Sequence, residues 1–339
     1  MLSPHEREGG YNESLAAKEI RVRYRRLGKT DLQVSEIGFG AWGIGGDKHG
    51  HSYGPTDNAE SLRAITRAFD LGCTFFDTAD IYGHGLSEKL LAQALQTHRH
   101  ECIIATKAGN DFYHGPVRKN FDPDYLRMAM EKSLQRLKTD YIDLYQLHNP
   151  PLMMLERGEH YAILETLKQE GKIRFYGVSV HDAYEGTMAI HTGKPDVIQV
   201  VYNLLRQEAA EELLPLAQEY DVGLIGREPL ASGMLTGKYT AAATFSASDV
   251  RAQWPQEYLA LQTQLADKLR FLALPKQRTL TQAALRFVLD ASEVSVVIPG
   301  SKTVAHVEEN MAASHVAPLT EAERAALSEV VEDAMDELF

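Results

Sequence analysis

The chain has 339 residues, 44% of them hydrophobic and 24% charged, with 35 Lys and Arg against 47 Asp and Glu for a formal net charge of −12. Such a composition supports a sizeable core and excludes a wholly disordered chain, while the acidity gives no bulk attraction to nucleic acid or anionic lipid, so an anionic ligand needs a local pocket. No apolar run approaches the ~20 residues that span a bilayer, and the polar N-terminus lacks the apolar stretch of a secretory signal, so a cytoplasmic protein without membrane or nucleic-acid partners is expected.

Residues 1–22 show no clear period and are expected to form a flexible extension ahead of a single domain over 23–339. Two short alternating runs flank Gly28 and Lys29, a hairpin signal. Short apolar or β-branched runs then predict strands at 36–40, 73–76, 102–106, 142–147, 173–178, 197–201, 222–225 and 294–298. Helix-period stretches lie between them at 58–71, 87–96, 122–138, 161–169, 209–219 and 280–290, and two more follow the last strand at 304–313 and 320–338. Asp122 and Pro123 read as an N-cap and first helical residue, and Gly171 as the residue just past a helix end. Strands alternating with helices are the signature of parallel βα units, so the fold class is α/β: a closed (β/α)8 TIM barrel, with an open doubly wound sheet as the alternative. Cys73 and Cys102 each open an apolar run and read as reduced core residues rather than a disulfide. Residues 233–254 exceed an ordinary βα connection and read as a lid or as a disordered loop.

Gly38-Phe39-Gly40-Ala41-Trp42-Gly43 matches G-x-G-x-x-G after a strand, but the following IGGDKHGHSYGP does not start the helix that a dinucleotide fingerprint requires. Residues 233–238 (GMLTGK) are one residue short of a P-loop. His49 with His51, and His98 with His100, lack a ligand set, so no metal is expected.

The chemistry gathers at strand ends. Asp77 ends CTFFD, Tyr82 lies in the following loop, Lys107 ends ECIIATK and His148 ends IDLYQLH. Taken singly, a strand-end Asp or Lys is more often a structural ion pair than a catalyst and Tyr82 reads as a loop aromatic; in a barrel all four meet at one mouth. Together they suit carbonyl reduction. A phenol with a pKa near ~10 is a poor acid at neutral pH, a nearby ammonium lowers that pKa, a carboxylate keeps the ammonium charged, and an imidazole hydrogen-bonds the carbonyl oxygen. A hydride source is still needed, which implies a redox cofactor. Gln199 and Asn203 could hold a carboxamide or merely a turn. Arg227 and the backbone around Ser232 and Gly233 suit phosphates, as do Ser301 and Lys302 ahead of a helix N-terminus, although that pattern also serves capping and solvation.

The stretches LGKTDLQVSEIGFGAWGIGG, FFDTADIYG, IIATKAG, YIDLYQLHNP, GVSV, IQVVYNLL, REPLASGMLTGKY and VIPGSK with VEEN occur in an order and spacing that resemble the aldo-keto reductases, from about residue 24 to about residue 313. The resemblance implies a (β/α)8 barrel closed at its bottom by an N-terminal β-hairpin and extended by two C-terminal helices. It also implies NADPH/NADP+ as cofactor and a tetrad of Asp77, Tyr82, Lys107 and His148, with Tyr82 as general acid in reduction. By the same resemblance Ser179 and Gln199 hold the nicotinamide amide beside Arg227, and Pro229, Leu230, Ser232 and Gly233 follow the pyrophosphate. Gly300, Ser301 and Lys302 meet the 2′-phosphate, Glu309 and Asn310 the adenine end, and Trp42 joins Tyr82 and His148 around the substrate. Three positions depart from the family pattern: Val180 stands where Asn is usual, Arg227 replaces an aromatic, and His306 stands where an Arg commonly clamps the 2′-phosphate. The expected partner is a small-molecule carbonyl substrate. A catalytically weak NADPH-sensing subunit is the alternative, and a barrel aldolase with Lys107 as Schiff-base nucleophile a third reading. Specificity is expected in loops 49–58, 109–118 and 233–254, where Tyr113, His114 and Arg118 suit a polar or anionic carbonyl compound and equally suit a solvated loop.

Overall fold

The computed structural model describes residues 22–50, 52–192 and 195–336. The expected N-terminal extension therefore lies outside the described residues except for Val22, which is buried in the core. His51 also lies outside them.

The chain opens with β1 (Tyr24–Arg26) paired antiparallel to β2 (Gln33–Ser35). Gly28 turns between them at φ +51°, and a Cβ there would sit 2.0 Å from the backbone nitrogen of Gly223, so only glycine lets the turn press against the barrel floor. Eight parallel strands follow: β3 (Phe39–Gly40), β4 (Phe75–Asp77), β5 (Ile103–Ala108), β8 (Ile142–His148), β9 (Ile173–Ser179), β10 (Val197–Val201), β11 (Gly223–Arg227) and β12 (Val294–Val297). Parallel bridges Ile37–Val297 and Gly40–Gly300 join the last strand to the first and close the barrel. The remaining pair, β6 (Asn110–Asp111) and β7 (Arg118–Lys119), is a small antiparallel ribbon in the loop after β5 that the sequence pattern did not indicate.

Helices α1 (Asn58–Asp70), α2 (Leu86–Leu95), α3 (Pro123–Leu137), α4 (Leu152–Arg157), α5 (Tyr161–Gln169), α6 (Ala183–His191) and α7 (Leu213–Glu219) alternate with the strands. They are followed by α8 (Gln256–Lys268), α9 (Leu280–Asp290), α10 (Val304–Ala312) and α11 (Glu321–Asp336). The expected helix over 209–219 begins only at Leu213, after a 3-10 turn, and α4, α6 and α8 were not anticipated. Asp122 does precede α3, with Pro123 first in the helix, but its side chain makes no cap hydrogen bond. Local capping is firmer elsewhere: Thr279 and Gln282 form a reciprocal capping box on α9, and Thr303 accepts from the His306 N–H on α10. No helix among the described residues is long and apolar enough to cross a membrane.

The period-two alternation of the strands sorts side chains into two cores. Phe75, Ala105, Leu144, Val197, Ile225 and Val296 point into the barrel, where Leu27, Leu32 and Val34 of the hairpin close it from below. Phe76, Ile104, Tyr145, Val178, Ile198 and Leu224 point outward beneath the helices. Cys73 and Cys102 are buried free thiols, as expected.

Candidate active site

One step of the same alternation builds the site. Two residues beyond Phe75, Ala105, Leu144, Val197 and Ile225 come Asp77, Lys107, Gln146, Gln199 and Arg227, so a polar layer lies directly on the apolar one. His148 is two residues further along β8. The layer sits at the C-terminal ends of the strands, where a parallel barrel opens.

At its centre Lys107 is fully buried and donates from Nζ to Asp77 Oδ1 at 2.5 Å, to the Thr78 carbonyl at 2.9 Å and to Tyr82 Oη at 3.4 Å. Asp77 Oδ2 in turn accepts from Gln199 Nε2 at 2.8 Å and Gln146 Nε2 at 3.3 Å. The Tyr82 ring meets the His148 ring edge-on at 5.8 Å between centroids, and Trp42 lies 6.5 Å from Tyr82. The three strand-end groups and the loop tyrosine read from the sequence are thus brought together. Tyr82 is held there by Gly83, at φ +59°, which passes so close to the loop from β3 that a Cβ would lie 2.0 Å from the Gly45 carbonyl oxygen.

The electrostatics differ from the sequence expectation at one point. Burial raises the Tyr82 pKa above its ordinary value, and this outweighs the opposing pull of the Lys107 ammonium; Asp77 adds to the rise. The phenol therefore stays protonated at neutral pH. Burial draws Lys107 down, but Asp77 and then Tyr82 favour its charged form more strongly, so its pKa is raised. His148 is pushed well below the usual imidazole value by burial and then by Lys107, Lys119, Arg227 and His181. A neutral imidazole can donate a hydrogen bond but has no easily lost proton, whereas the Tyr82 phenol keeps a proton it can give.

From Tyr82 and Trp42 a groove runs past Arg227, Pro229, Leu230, Ser232 and Gly233 to Gly300, Lys302, His306, Glu309 and Asn310. Ser179 and Ser301 lie just behind it, both buried: Ser179 Oγ donates to Gln199 Oε1 at 3.4 Å, and Ser301 Oγ accepts from Asn310 Nδ2 at 3.0 Å. Arg227 donates from Nη2 to the Val180 carbonyl at 2.9 Å and pairs with Glu228, so position 180 contributes backbone rather than a side-chain amide. The Arg227 Nε is buried without a partner, an orphan donor beside the groove. Asn203 stands apart from the groove and ties the Glu228 carbonyl and its own turn, the structural half of its two readings.

A sequence model of the Aldo/keto reductase family matches residues 36–332. The chain belongs to the aldo/keto reductase family. Among its relatives, the uncharacterized oxidoreductase YqkF of Bacillus subtilis is 34% identical over 309 residues, covering 90% of this chain and 95% of that one. The NADH-specific methylglyoxal reductase of Escherichia coli K12 is 31% identical, covering 90% of this chain and 97% of its own. The holo form of aldo-keto reductase AKR11C1 from Bacillus halodurans superposes with a TM-score of 0.75 at 31% identity, covering 91% and 96% of the two chains.

This family member roofs its groove with residues that the sequence did not single out. Arg251, nearly buried, pairs with Asp249 at 2.7 Å and donates to the Ser232 carbonyl at 3.1 Å. Its guanidinium lies 4.6 Å from the Tyr53 ring centre, 5.0 Å from Tyr239 and 4.3 Å from Phe245. The Val250 N–H donates to the Ser52 carbonyl at 2.9 Å. The segment 233–254 is therefore an ordered arch pinned to the loop after β3, not a loose tether. Aromatics on either side of an arginine in two long loops were the only available signal, and nothing in the sequence says which loops meet. Gln146 was likewise missed, although its place two residues before His148 on an inward-facing register was readable.

Proposed function

We propose that this chain reduces aldehydes or ketones to alcohols with NADPH, Tyr82 serving as the general acid. The carrying observation is the buried relay in which the Lys107 ammonium bridges the Asp77 carboxylate and the Tyr82 hydroxyl at a mouth continuous with a long groove. The groove's donors fit a dinucleotide: the orphan Nε of Arg227, the backbone turn at Ser232 and Gly233, and the Lys302 ammonium beside the N-terminus of α10. Ser179, Gln199 and Arg227 would hold the nicotinamide end, and Lys302, His306, Glu309 and Asn310 the far phosphate and adenine. A nicotinamide cofactor bound there supplies the hydride.

The chain's own residues do the rest. His148, neutral, hydrogen-bonds and orients the carbonyl oxygen between itself and Tyr82. Tyr82 Oη passes its proton to that oxygen as charge develops, and the phenolate left behind is stabilised by Lys107, which Asp77 keeps cationic and in place. Gln146 and Gln199 hold the second Asp77 oxygen and so fix the first toward Lys107. The preference for NADPH rests on Lys302, whose ammonium donates to the backbone carbonyls of Tyr53 at 2.5 Å and Gly54 at 3.4 Å. A 2′-phosphate would exchange neutral acceptors for a charged one there.

Tyr82→Phe tests the reading. We expect kcat to fall by about 10²–10⁴-fold, the scale of a lost general acid, while NADPH titration by protein fluorescence stays at the parent value. Turnover retained by the variant rules out Tyr82 as the acid. Tight NADPH binding with no turnover of any aldehyde by the parent chain points instead to the sensing subunit, and faster turnover with NADH than with NADPH removes the cofactor assignment.

A further inference from the structure

Four basic groups bear on His148: Lys107, Lys119, Arg227 and His181. Three of them have a carboxylate of their own. Lys107 pairs with Asp77 at 2.5 Å, Arg227 with Glu228, and His181 with Glu185 at 3.1 Å. Lys119, on β7, has no carboxylate within 4.0 Å among the described residues; its Nζ donates to the His148 backbone carbonyl at 2.8 Å and stands 6.0 Å from the centre of the Phe121 ring. An ammonium has three protons to donate, so two remain for a ligand. Burial draws its pKa down and the charge of Glu185 opposes this, but Glu185 is already committed to the His181 N–H and ring.

The residues that the sequence offered as contacts for an anionic substrate are otherwise engaged. Tyr113 Oη accepts from Arg136 Nη1 at 2.9 Å, while His114 and Arg118 both lean on Asp111, at 3.0 and 3.7 Å. Among the described residues, Lys119 is the cation of this loop with no carboxylate within 4.0 Å. It is anchored to the backbone of the very residue whose imidazole meets the Tyr82 ring edge-on.

We infer that Lys119 selects carbonyl substrates carrying a carboxylate or phosphate group close to the carbonyl. This rests on the reductase reading above and adds the substrate class. Lys119 is exposed, and the charge-assisted hydrogen bond it offers is stronger than one from a neutral donor.

The test compares the parent chain with Lys119→Met and Lys119→Arg on two matched pairs: 4-carboxybenzaldehyde against benzaldehyde, and glycolaldehyde phosphate against glycolaldehyde. The Met variant is expected to lose about tenfold more kcat/KM on the charged member than on the neutral one, through KM, as for a lost charged hydrogen bond. The Arg variant should recover most of that loss. The responding pair tells carboxylate from phosphate. Equal losses on both members of both pairs mean that Lys119 acts only through the His148 carbonyl, and overturn the inference. Calorimetric binding of 4-(hydroxymethyl)benzoate and of benzyl alcohol, with saturating NADP+, reads the same preference without turnover. Lys119-dependent binding of the carboxylate by a chain that reduces neither aldehyde keeps the anion site and discards the reductase. Benzaldehyde reduction with no Lys119-dependent preference does the reverse.

Discussion

Tyr82 and His148 face each other across the mouth, and burial favours the uncharged form of both. For the phenol that means the proton is held to higher pH than in water; for the imidazole it means protonation is deferred to lower pH. The signs give a broad plateau. Reduction, followed as kcat/KM with saturating NADPH, should stay level from about pH 6.5 to about pH 10, the ordinary values of the two groups, and fall outside that window on both sides. An alkaline limb centred near pH 8 would show that the Lys107 charge, not burial, governs Tyr82. The same argument carries a stability consequence. His148 takes up a proton more readily unfolded than folded, so its contribution favours the native chain above about pH 6.5 and is lost as pH falls from there toward its lowered native value. Of the four catalytic candidates, Asp77, Lys107 and His148 were legible as strand-end residues and Tyr82 as a residue of the loop after one of them. Their energetics were not, because desolvation depends on what the loops place over them.

At the scale of elements, the site is a product of register and of two close backbone approaches. A one-residue slip in β4, β5 or β10 would turn Asp77, Lys107 or Gln199 outward among the helices. The loop carrying Tyr82 is set by contact with the turn after β3, where Gly83 and Gly45 meet. Gly83→Ala adds a Cβ 2.0 Å from a carbonyl oxygen at φ +59°, so the loop must move. We expect kcat to drop by roughly 10²-fold, as for a small misplacement of a catalytic group, with the NADPH dissociation constant changed far less. A kcat near the parent value would show that the Tyr82 loop does not depend on this contact. The arch over 233–254 is a second case: its length and its Ala, Ser and Thr content were visible, but its attachment through Arg251 to Tyr53 joins residues 198 positions apart, and no local pattern encodes that pairing.

For the whole molecule, the barrel has an apolar floor and a polar ceiling, and the N-terminal hairpin is what makes the floor watertight. Leu27 is fully buried among side chains drawn from several strands. Leu27→Ala should cost about 2–5 kcal/mol, the transfer term plus a cavity that a closed barrel cannot collapse to fill. Urea unfolding followed by circular dichroism measures it, and kcat of the folded fraction should hold because the hairpin lies at the end opposite the site. A loss below about 1 kcal/mol would mean the hairpin merely covers the barrel without packing into it. The arrangement also separates tasks. Residues at the floor are replaceable only by apolar groups of like size, whereas the loops above tolerate the changes that alter substrate choice.

Local order was the share of this protein that the chain declared by itself. Alternation by two marks the strands, alternation by 3.6 the helices, and an apolar run ending in Asp77, Lys107 or His148 marks where each strand emerges, because these are nearest-neighbour properties of a polymer with fixed side-chain geometry. What the tertiary structure alone decided is everything that depends on distance through space. It set the two glutamines on the Asp77 carboxylate, the depth of Tyr82, the grip of Lys302 on the loop opposite, and the absence of a carboxylate beside Lys119 among the described residues. Charge interactions and desolvation act across gaps that only the closed barrel defines, so their sign at each residue could be settled only after the strands had met.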